Sequence, residues 1–197
     1  MDEFKREFLN KIIPLAIEDE EHSKVPAEVT VGQAILESNW GRSKLTINGN
    51  NLFGIKADPL WTGKVLYMKG WEVEKGIKRT YDMEWRAYEG WKESVSDHSK
   101  FLHKPRYAKA FTFKDWKDFL HAIHLAGYAT DPTYAAQIIS IIRIYNIEQA
   151  IRDSRIANTA KPWVKLYEQK DDFLSANKQN PSLFIKVKDY LKSLIKR

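Results

Sequence analysis

The stretch Ala34-Ile-Leu-Glu-Ser-Asn-Trp-Gly41 places one glutamate between an apolar run and a Trp-Gly pair. Upstream, Pro26 suits the first turn of a helix, and Gly41 is a stop signal, so the pattern predicts a helix that delivers Glu37 to its C-terminal end. The carboxyl group would then emerge at the rim of an apolar cluster and at the negative end of the helix. Both surroundings disfavour the ionised form, as a general acid that works near neutral pH requires. A solvated glutamate at a helix end fits the same pattern.

Apolar residues at three- and four-residue spacing predict helices on both sides of this segment. An upstream helix carries its apolar positions from Phe4 to Ile17 and ends at the acidic stretch Glu18–Glu21. Two downstream helices cover residues 91–102 and 116–126. A further helix opens at Thr130-Asp131-Pro132, where a capping residue precedes a proline at the first helical position. We therefore expect a main domain built mostly of helices.

Between residues 61 and 81 apolar and polar side chains alternate, which predicts two short strands with a turn near Lys75-Gly76. Glu72 and Glu74 would then project from one face of this hairpin. They either lie on the polar side of a solvated flap, or the flap closes over a cleft and brings one of them opposite the helix-borne glutamate. Two carboxylates that face each other in this way could cleave a glycosidic bond. The predicted fold class is α+β, mainly α, with a small inserted β-hairpin.

The excess of positive charge lies at the C-terminal end of the sequence. The chain has 197 residues, with 32 Lys and Arg against 26 Asp and Glu, and a formal net charge of +6. Residues 155–197 contain ten basic and four acidic side chains, so they carry the whole excess. The rest of the chain is formally neutral and has no nucleic-acid motif, so we expect no nucleic-acid partner. The basic segment either packs as a helical extension or binds an anionic polymer.

The pattern predicts two regions, a domain of residues 1–155 and a basic helical extension of residues 156–197. The extension begins with a polar linker that contains Asn158 and Pro162, and apolar residues from Leu183 to Ile195 then recur at helical spacing. No apolar run reaches the roughly 18 residues that span a bilayer. The charged start of the chain is unlike a signal peptide, although an export signal could have been removed.

The composition also excludes several classes of site. Cysteine is absent, which excludes disulfides, cysteine nucleophiles and zinc–cysteine sites. The five histidines are not grouped with acidic partners, so we expect no metal and no cofactor. The sequence also lacks a phosphate-binding loop, a dinucleotide fingerprint and a nucleophilic serine elbow. Acid–base chemistry must therefore come from carboxylates, histidine or tyrosine.

Four segments of the chain form an ordered series of motifs. They are Ala34–Gly41, Asn50-Asn-Leu-Phe-Gly-Ile-Lys56, Trp85-Arg-Ala-Tyr88 followed by Ser94-Val-Ser-Asp-His98, and Ala126-Gly-Tyr-Ala-Thr-Asp-Pro-Thr-Tyr-Ala135. This series resembles the motifs of the glycoside hydrolase family 73 glucosaminidases, in the same order. The resemblance implies a lysozyme-like domain that acts as a monomeric endo-β-N-acetylglucosaminidase on peptidoglycan strands of the bacterial cell wall, outside the cell or delivered by a phage.

By this resemblance Glu37 matches the family's general acid, in a Glu-Ser-x-Trp-Gly motif. The second carboxylate lies on the hairpin, and counting back from the Trp-Arg-Ala-Tyr stretch favours Glu72 over Glu74, although Trp85 departs from the usual phenylalanine. Tyr134 matches a tyrosine that lines the cleft near the reacting sugar, while its spacing alone predicts a core aromatic. The matched substrate-binding positions are Asn51, Phe53, Tyr128 and Glu74. A plain structural turn is an equally good interpretation of Asn51.

The resemblance further implies cleavage of the β-1,4 bond between N-acetylglucosamine (GlcNAc) and N-acetylmuramic acid (MurNAc), with Glu37 protonating the departing oxygen. Two routes remain open. Either Glu72 activates water, or the acetamido oxygen of the substrate attacks while Tyr134 and a hairpin carboxylate stabilise the charge. A lytic transglycosylase of the same fold and a wall-binding module without turnover are the alternatives. The resemblance does not cover residues 156–197, which either pack back onto the domain as a helical extension or hold the enzyme on anionic wall polymers.

Overall fold

The structure is a computed structural model of the chain, which describes the backbone of residues 1–74 and 77–168 and the side chains of residues 1–70 and 79–157. Its elements in chain order are α1 (Glu3–Ser23), α2 (Ala27–Ser38), α3 (Lys44–Gly49), β1 (Lys64–Glu74), β2 (Ile77–Ala87), α4 (Trp91–Leu102), a 3₁₀ helix (Pro105–Thr112), α5 (Trp116–Leu125), α6 (Tyr134–Ile144) and α7 (Ile147–Glu168). The predicted α+β, mainly helical class is confirmed. Packing divides the chain into two units, Met1–Ser154 and Arg155–Arg197. Within the described part, no helix combines the length and the apolar character needed to cross a bilayer.

Helix α2 runs through the centre of the first unit. Every residue from Val29 to Ile35 is buried, including the polar Thr30 and Gln33. Helices α1, α5 and α6 pack around it. At Gly32 the approach of α6 is so close that an added Cβ would lie 2.6 Å from Cγ2 of Ile138, so a glycine is needed there. A helix that is apolar on nearly all sides is stable only when it is enclosed in this way, and each buried aliphatic side chain contributes about 1.5–3 kcal/mol.

Helix α2 ends in a left-handed turn that fixes the position of its last glutamate. Asn39, Trp40 and Gly41 have φ angles of 49°, 59° and 76°. The amide of Gly41 donates to the hydroxyl of Ser38 at 2.7 Å, and the amide of Trp40 donates to the carbonyl of Ile35 at 3.1 Å. A non-glycine residue in this region costs about 1–2 kcal/mol. These bonds and the packing of the indole against neighbouring aromatic rings offset that cost. The predicted helix stop is thereby confirmed.

The hairpin is longer than the sequence predicted. β1 and β2 contain 11 residues each and pair antiparallel along their whole length, because the alternation of polar and apolar residues continues to Ala87. An isolated bridge between Lys56 and Trp85 adds backbone pairing beside β2. Helix α3 packs directly on one face of this sheet, since a Cβ added to Gly49 would lie 3.1 Å from Cδ2 of Leu66.

The hairpin is tied to the helical body through Arg86, a residue of the Trp-Arg-Ala-Tyr motif. Its guanidinium donates to both carboxylate oxygens of Asp97 on α4, at 2.9 and 3.1 Å, and to Oδ2 of Asp58 at 2.6 Å. The side chains of Arg86 and Asp97 are only 12% and 13% exposed. Tyr88 donates to Asp97 at 2.8 Å, and burial together with this carboxylate raises the pKa of the Tyr88 hydroxyl. Two sequence motifs therefore form one structural anchor between β2 and α4.

Two helix limits differ from those predicted. Helix α1 does not end at the acidic stretch but continues to Ser23, because Asp19 accepts hydrogen bonds from the hydroxyl groups of Ser23 and Ser99. Helix α6 begins at Tyr134, two residues after the predicted start. The reason is that the carboxylate of Asp131 accepts from the amide and the hydroxyl of Thr133 and so caps a turn before the helix.

Helix α7 continues through Asn158 and Pro162, where a polar linker was predicted. The segment from Ile147 to Ala160 contains no glycine and is rich in helix-favouring residues, so local propensity carries the helix past the expected end. Helix α3 and the 3₁₀ helix were not predicted. The apolar helix predicted near residues 183–195 lies outside the described residues.

Candidate active site

Glu37 lies in the last turn of α2, and its side chain is exposed at the surface. Tyr134, the first residue of α6, is 4% exposed and donates its hydroxyl proton to Oε1 of Glu37 at 2.9 Å. Gln33, one turn earlier on α2, donates from Nε2 to the Tyr134 oxygen at 2.9 Å. The packing of α6 on α2 therefore brings together two of the predicted site residues, Glu37 and Tyr134, which are 97 positions apart.

The surroundings of Glu37 favour its protonated form. Burial of the carboxyl raises its pKa above the ordinary value, and the hydrogen bond from Tyr134 opposes this shift without cancelling it. The side chain is thus open to solvent on one side and enclosed by protein on the others. A carboxyl group in such surroundings holds its proton more strongly than a fully solvated one, while a substrate can still reach it. The raised pKa that the sequence predicted is confirmed, and burial is its main cause.

A layer of aromatic rings lies next to this pair. The ring centroid of Tyr128 lies 5.6 Å from that of Tyr134 and 6.1 Å from that of the His98 imidazole. Burial, together with the negative charge of Glu37, raises the pKa of the Tyr128 hydroxyl well above its ordinary value. Burial also raises the pKa of the Tyr134 hydroxyl. Both tyrosines are therefore neutral hydrogen-bonding groups beside the carboxyl.

His98 and Phe53 support this layer from within the protein. Phe53 is 5% exposed and stacks nearly parallel on His98, with ring centroids 3.9 Å apart. His98 is fully buried, and neither ring nitrogen has a hydrogen-bond partner among the residues that the structure describes. Burial lowers the pKa of His98 to about 3, so the imidazole is neutral. The ring therefore serves as a flat packing surface.

Asn51 holds the loop that carries Phe53. Its Nδ2 donates to the carbonyls of Ile55 at 2.9 Å and Arg86 at 2.8 Å, and its Oδ1 accepts from the amide of Ile55 at 3.1 Å. The side chain is 1% exposed. Of the two interpretations that the sequence left open for Asn51, the geometry favours the structural turn. Direct contact of Asn51 or Phe53 with a substrate stays a prediction.

Glu72 and Glu74 are placed by strand register, because the side chains of residues 71–78 lie outside the described part. Their backbones pair with those of Arg79 and Ile77, next to the expected turn at residues 75–76, which itself lies outside the described residues. The hairpin placement of the two glutamates is confirmed at the level of the backbone.

Gln33 is the site residue that sequence reasoning missed. It interrupts an apolar helix, and the only local signal is its position four residues before Glu37, which puts both on one helix face. Among the described residues, no three His, Asp or Glu side chains are grouped so that they could hold a metal ion.

The domain that carries these residues is similar to known glycoside hydrolases. The model of the family described as glucosaminidase, mannosyl-glycoprotein endo-β-N-acetylglucosaminidase, matches residues 13–147. The exo-glucosaminidase LytG of Bacillus subtilis is 36% identical over 127 residues, which are 61% of this chain and 44% of LytG. The peptidoglycan hydrolase FlgJ of Salmonella typhimurium is 36% identical over 143 residues, 70% of this chain and 45% of FlgJ. The catalytic domain of the autolysin Auto from Listeria monocytogenes superimposes with a TM-score of 0.68 at 33% identity, over 76% of this chain and 88% of that domain.

This chain spans less than half the length of these curated relatives. The matched region nevertheless contains α2, the hairpin and α6. These elements carry Glu37, the two hairpin glutamates and Tyr134. The likeness to solved domains of this kind confirms the lysozyme-like fold. Sequence and fold together show that the chain belongs to the glucosaminidase family of glycoside hydrolases, glycoside hydrolase family 73.

Proposed function

We propose that this chain is a peptidoglycan hydrolase that cleaves the β-1,4 bond on the reducing side of GlcNAc in bacterial cell-wall strands. The observation that carries the proposal is the accessible carboxyl of Glu37, whose pKa is raised by burial and whose orientation is fixed by Tyr134. The relatives named peptidoglycan hydrolase and autolysin support the choice of substrate. The enzyme would act on the wall as a monomer without a metal or cofactor.

In the proposed reaction Glu37 donates its proton to the glycosidic oxygen. The bond between this oxygen and C1 of GlcNAc breaks, and the MurNAc side leaves as an alcohol. Positive charge develops at C1, and a water molecule finally adds its hydroxyl there and releases a proton. Tyr134 remains hydrogen-bonded to one carboxyl oxygen of Glu37, which leaves the other free to face the leaving group. Tyr128, beside it, is the described aromatic side chain that we assign to sugar contact.

A hairpin carboxylate is the proposed second group. In one route Glu72 accepts the proton of the attacking water. In the other, the acetamido oxygen of GlcNAc attacks C1 first, and water then opens the resulting ring while a hairpin carboxylate stabilises the positive charge. Both routes remain open, because Glu72 and Glu74 both lie near the end of β1. We assign the main role to Glu72 and a substrate contact to Glu74.

The products of peptidoglycan digestion test the proposed function. We expect soluble fragments that end in a reducing GlcNAc, because water adds to C1 of that sugar. Mass spectrometry after borohydride reduction identifies the terminal sugar, and fragments of many lengths at early times distinguish internal cleavage from the stepwise release suggested by the name of LytG. A 1,6-anhydro-MurNAc end would indicate a transglycosylase, and a reducing MurNAc end would indicate a muramidase. Binding to the wall without any release of sugar would indicate a module without turnover, and each of these three results would refute the proposal.

We further propose that residues 156–197 bind anionic wall polymers, because this segment and Arg155 carry the entire net charge of +6. Deletion of the segment should weaken retention on purified walls several-fold at low salt and have little effect at high salt, since salt screens exposed charges beyond about 10 Å at 0.1 M. A pull-down assay across a salt series measures this. The matched control keeps the segment but replaces its lysines by glutamine. Equal retention of the full chain and both variants at low salt would exclude the tether.

A further inference from the structure

Two hydrogen bonds at the active site are donated in the same direction, from Gln33 to Tyr134 and from Tyr134 to Glu37. Gln33 is fully buried on α2 and donates from Nε2 to the Tyr134 oxygen, and Tyr134 donates to Oε1 of Glu37, both at 2.9 Å. A hydroxyl group has a single proton to donate. Because the amide nitrogen of Gln33 can only donate, the proton of Tyr134 does not point to Gln33. The hydroxyl of Tyr128 also lies within reach, but it is a neutral acceptor, and the carboxyl group of Glu37 accepts the proton at 2.9 Å.

The charges at the site favour the same direction. When Glu37 is ionised, its carboxylate is a stronger acceptor than a neutral amide oxygen, so Tyr134 directs its proton to Glu37 rather than to Gln33. When Glu37 carries its proton on Oε2, the unprotonated Oε1 still accepts from Tyr134. The amide of Gln33 must then present its nitrogen to the tyrosine oxygen, as observed. Burial keeps the Tyr134 hydroxyl protonated, so the direction holds across the working pH range.

The hydrogen bond of Gln33 to Tyr134 is accompanied by an unpaired polar atom in the core. Its Oε1 is buried and has no hydrogen-bond partner among the described residues, and the same is true of the hydroxyl of Thr30 one turn earlier. A buried amide oxygen without a partner costs about 1–3 kcal/mol. An apolar side chain of the same length would be more stable in this enclosed helix. The hydrogen bond to Tyr134 is therefore the contribution of the Gln33 amide to the site.

We propose that Gln33 is a positioning residue of the active site. By donating to the Tyr134 oxygen it commits the tyrosine proton to Oε1 of Glu37, and this leaves Oε2 as the oxygen that carries the catalytic proton towards the glycosidic bond. The inference rests on the proposed function of Glu37 as the general acid.

Gln33→Met tests the proposal, because methionine matches the length of glutamine but donates no hydrogen bond. We expect kcat to fall about tenfold with KM unchanged, since a fully buried side chain does not touch the glycan and a loss of orientation affects the chemical step. The melting temperature should stay the same or rise, because the unpaired amide oxygen is removed. A purely structural role predicts a lower melting temperature instead. Thr30→Val is the matched control, and it should leave kcat and the pH profile unchanged.

A second readout follows the protonation of Glu37 directly. Because the hydrogen bond from Tyr134 lowers the pKa of Glu37, its loss in Tyr134→Phe should raise that pKa and move the basic limb of the pH–rate profile upward. Gln33→Met should also raise the pKa of Glu37 and move the basic limb of the pH–rate profile upward, by a smaller amount. In a chain that already carries Tyr134→Phe, the Gln33 substitution should add nothing. The Glu37 carboxyl is titrated by carbon NMR, and activity is recorded across the same pH series.

The proposal is overturned if Gln33→Met leaves the Glu37 titration unchanged, or if it shifts the titration equally with and without the Tyr134 hydroxyl. The NMR measurement needs no turnover, so it stays informative if Glu37 is not the acid. Full activity of Glu37→Gln would refute the proposed function alone. An inactive Glu37→Gln enzyme together with an unaltered Gln33→Met enzyme would refute the role of Gln33 alone.

Discussion

Glu37→Gln is expected to reduce the hydrolysis of purified peptidoglycan by about 10³-fold, because glutamine keeps the size and polarity of the side chain but has no acidic proton. The substituted amide can still accept the hydrogen bond from Tyr134, so the local structure should persist. Release of reducing sugars measures activity, and circular dichroism and the melting temperature verify folding. Turnover close to that of the unmodified enzyme would exclude Glu37 as the general acid.

The two hairpin glutamates are tested by the same substitution. Glu72→Gln should reduce activity by about 10²-fold, as expected for a group that activates water or stabilises charge. Glu74→Gln, two residues further along β1, is the matched control and should have a smaller effect. The opposite order would transfer the second role to Glu74. A loss in Glu72→Gln as large as that in Glu37→Gln would show that water activation limits the rate as strongly as protonation of the leaving group.

Arg86→Met is expected to lower the free energy of unfolding by about 3 kcal/mol, because it leaves Asp97 enclosed without its cation. The two side chains are 12% and 13% exposed, and Nη1 of Arg86 donates to both oxygens of Asp97, so solvent replaces little of the lost interaction. Tyr88 continues to donate to Asp97 and limits the loss. Urea denaturation measures the change. Activity should fall as well, because this anchor joins the hairpin that carries Glu72 to α4.

Lys92→Met is the matched control for the anchor. Lys92 also forms an ion pair, with Glu18 at 2.6 Å, but the two side chains are 70% and 53% exposed. Exposed pairs contribute about 0–1 kcal/mol, so this substitution should leave stability nearly unchanged. If the two variants lose equally little stability, Arg86 is a surface contact and the anchor does not hold the hairpin.

The sequence predicts those parts of the fold that depend on residues close together along the chain. Helices α2, α4 and α5 were predicted to within a few residues, because a repeat of 3.6 residues and a helix stop are properties of adjacent residues. The hairpin was found through its alternation but was placed too short. The C-terminal end of α1 and the start of α6 were misplaced because side chains such as Asp19 and Asp131 alter the helix limits through contacts that no periodicity reveals.

The site shows the same division. Glu37 was found because its motif lies within one helix, whereas Tyr134 read equally well as a core aromatic or a cleft residue. In the structure its ring is buried and its hydroxyl reaches the carboxyl of Glu37, while its contact with a sugar stays a prediction. Gln33 was not found, because a polar residue in an apolar helix acquires a meaning only when the facing helix is known.

The amino-acid order alone determines most of the helices, the presence of the hairpin, the choice of Glu37 as the candidate acid and the family to which the chain belongs. Tertiary packing decides the pKa of Glu37, the direction of the hydrogen bonds from Gln33 through Tyr134, and the union of two motifs into the Arg86 anchor. Periodicity, caps and motifs depend on neighbours along the chain. Burial and hydrogen bonding depend instead on distances of about 3 Å between segments that can be nearly 100 residues apart, and only the folded chain brings these segments together.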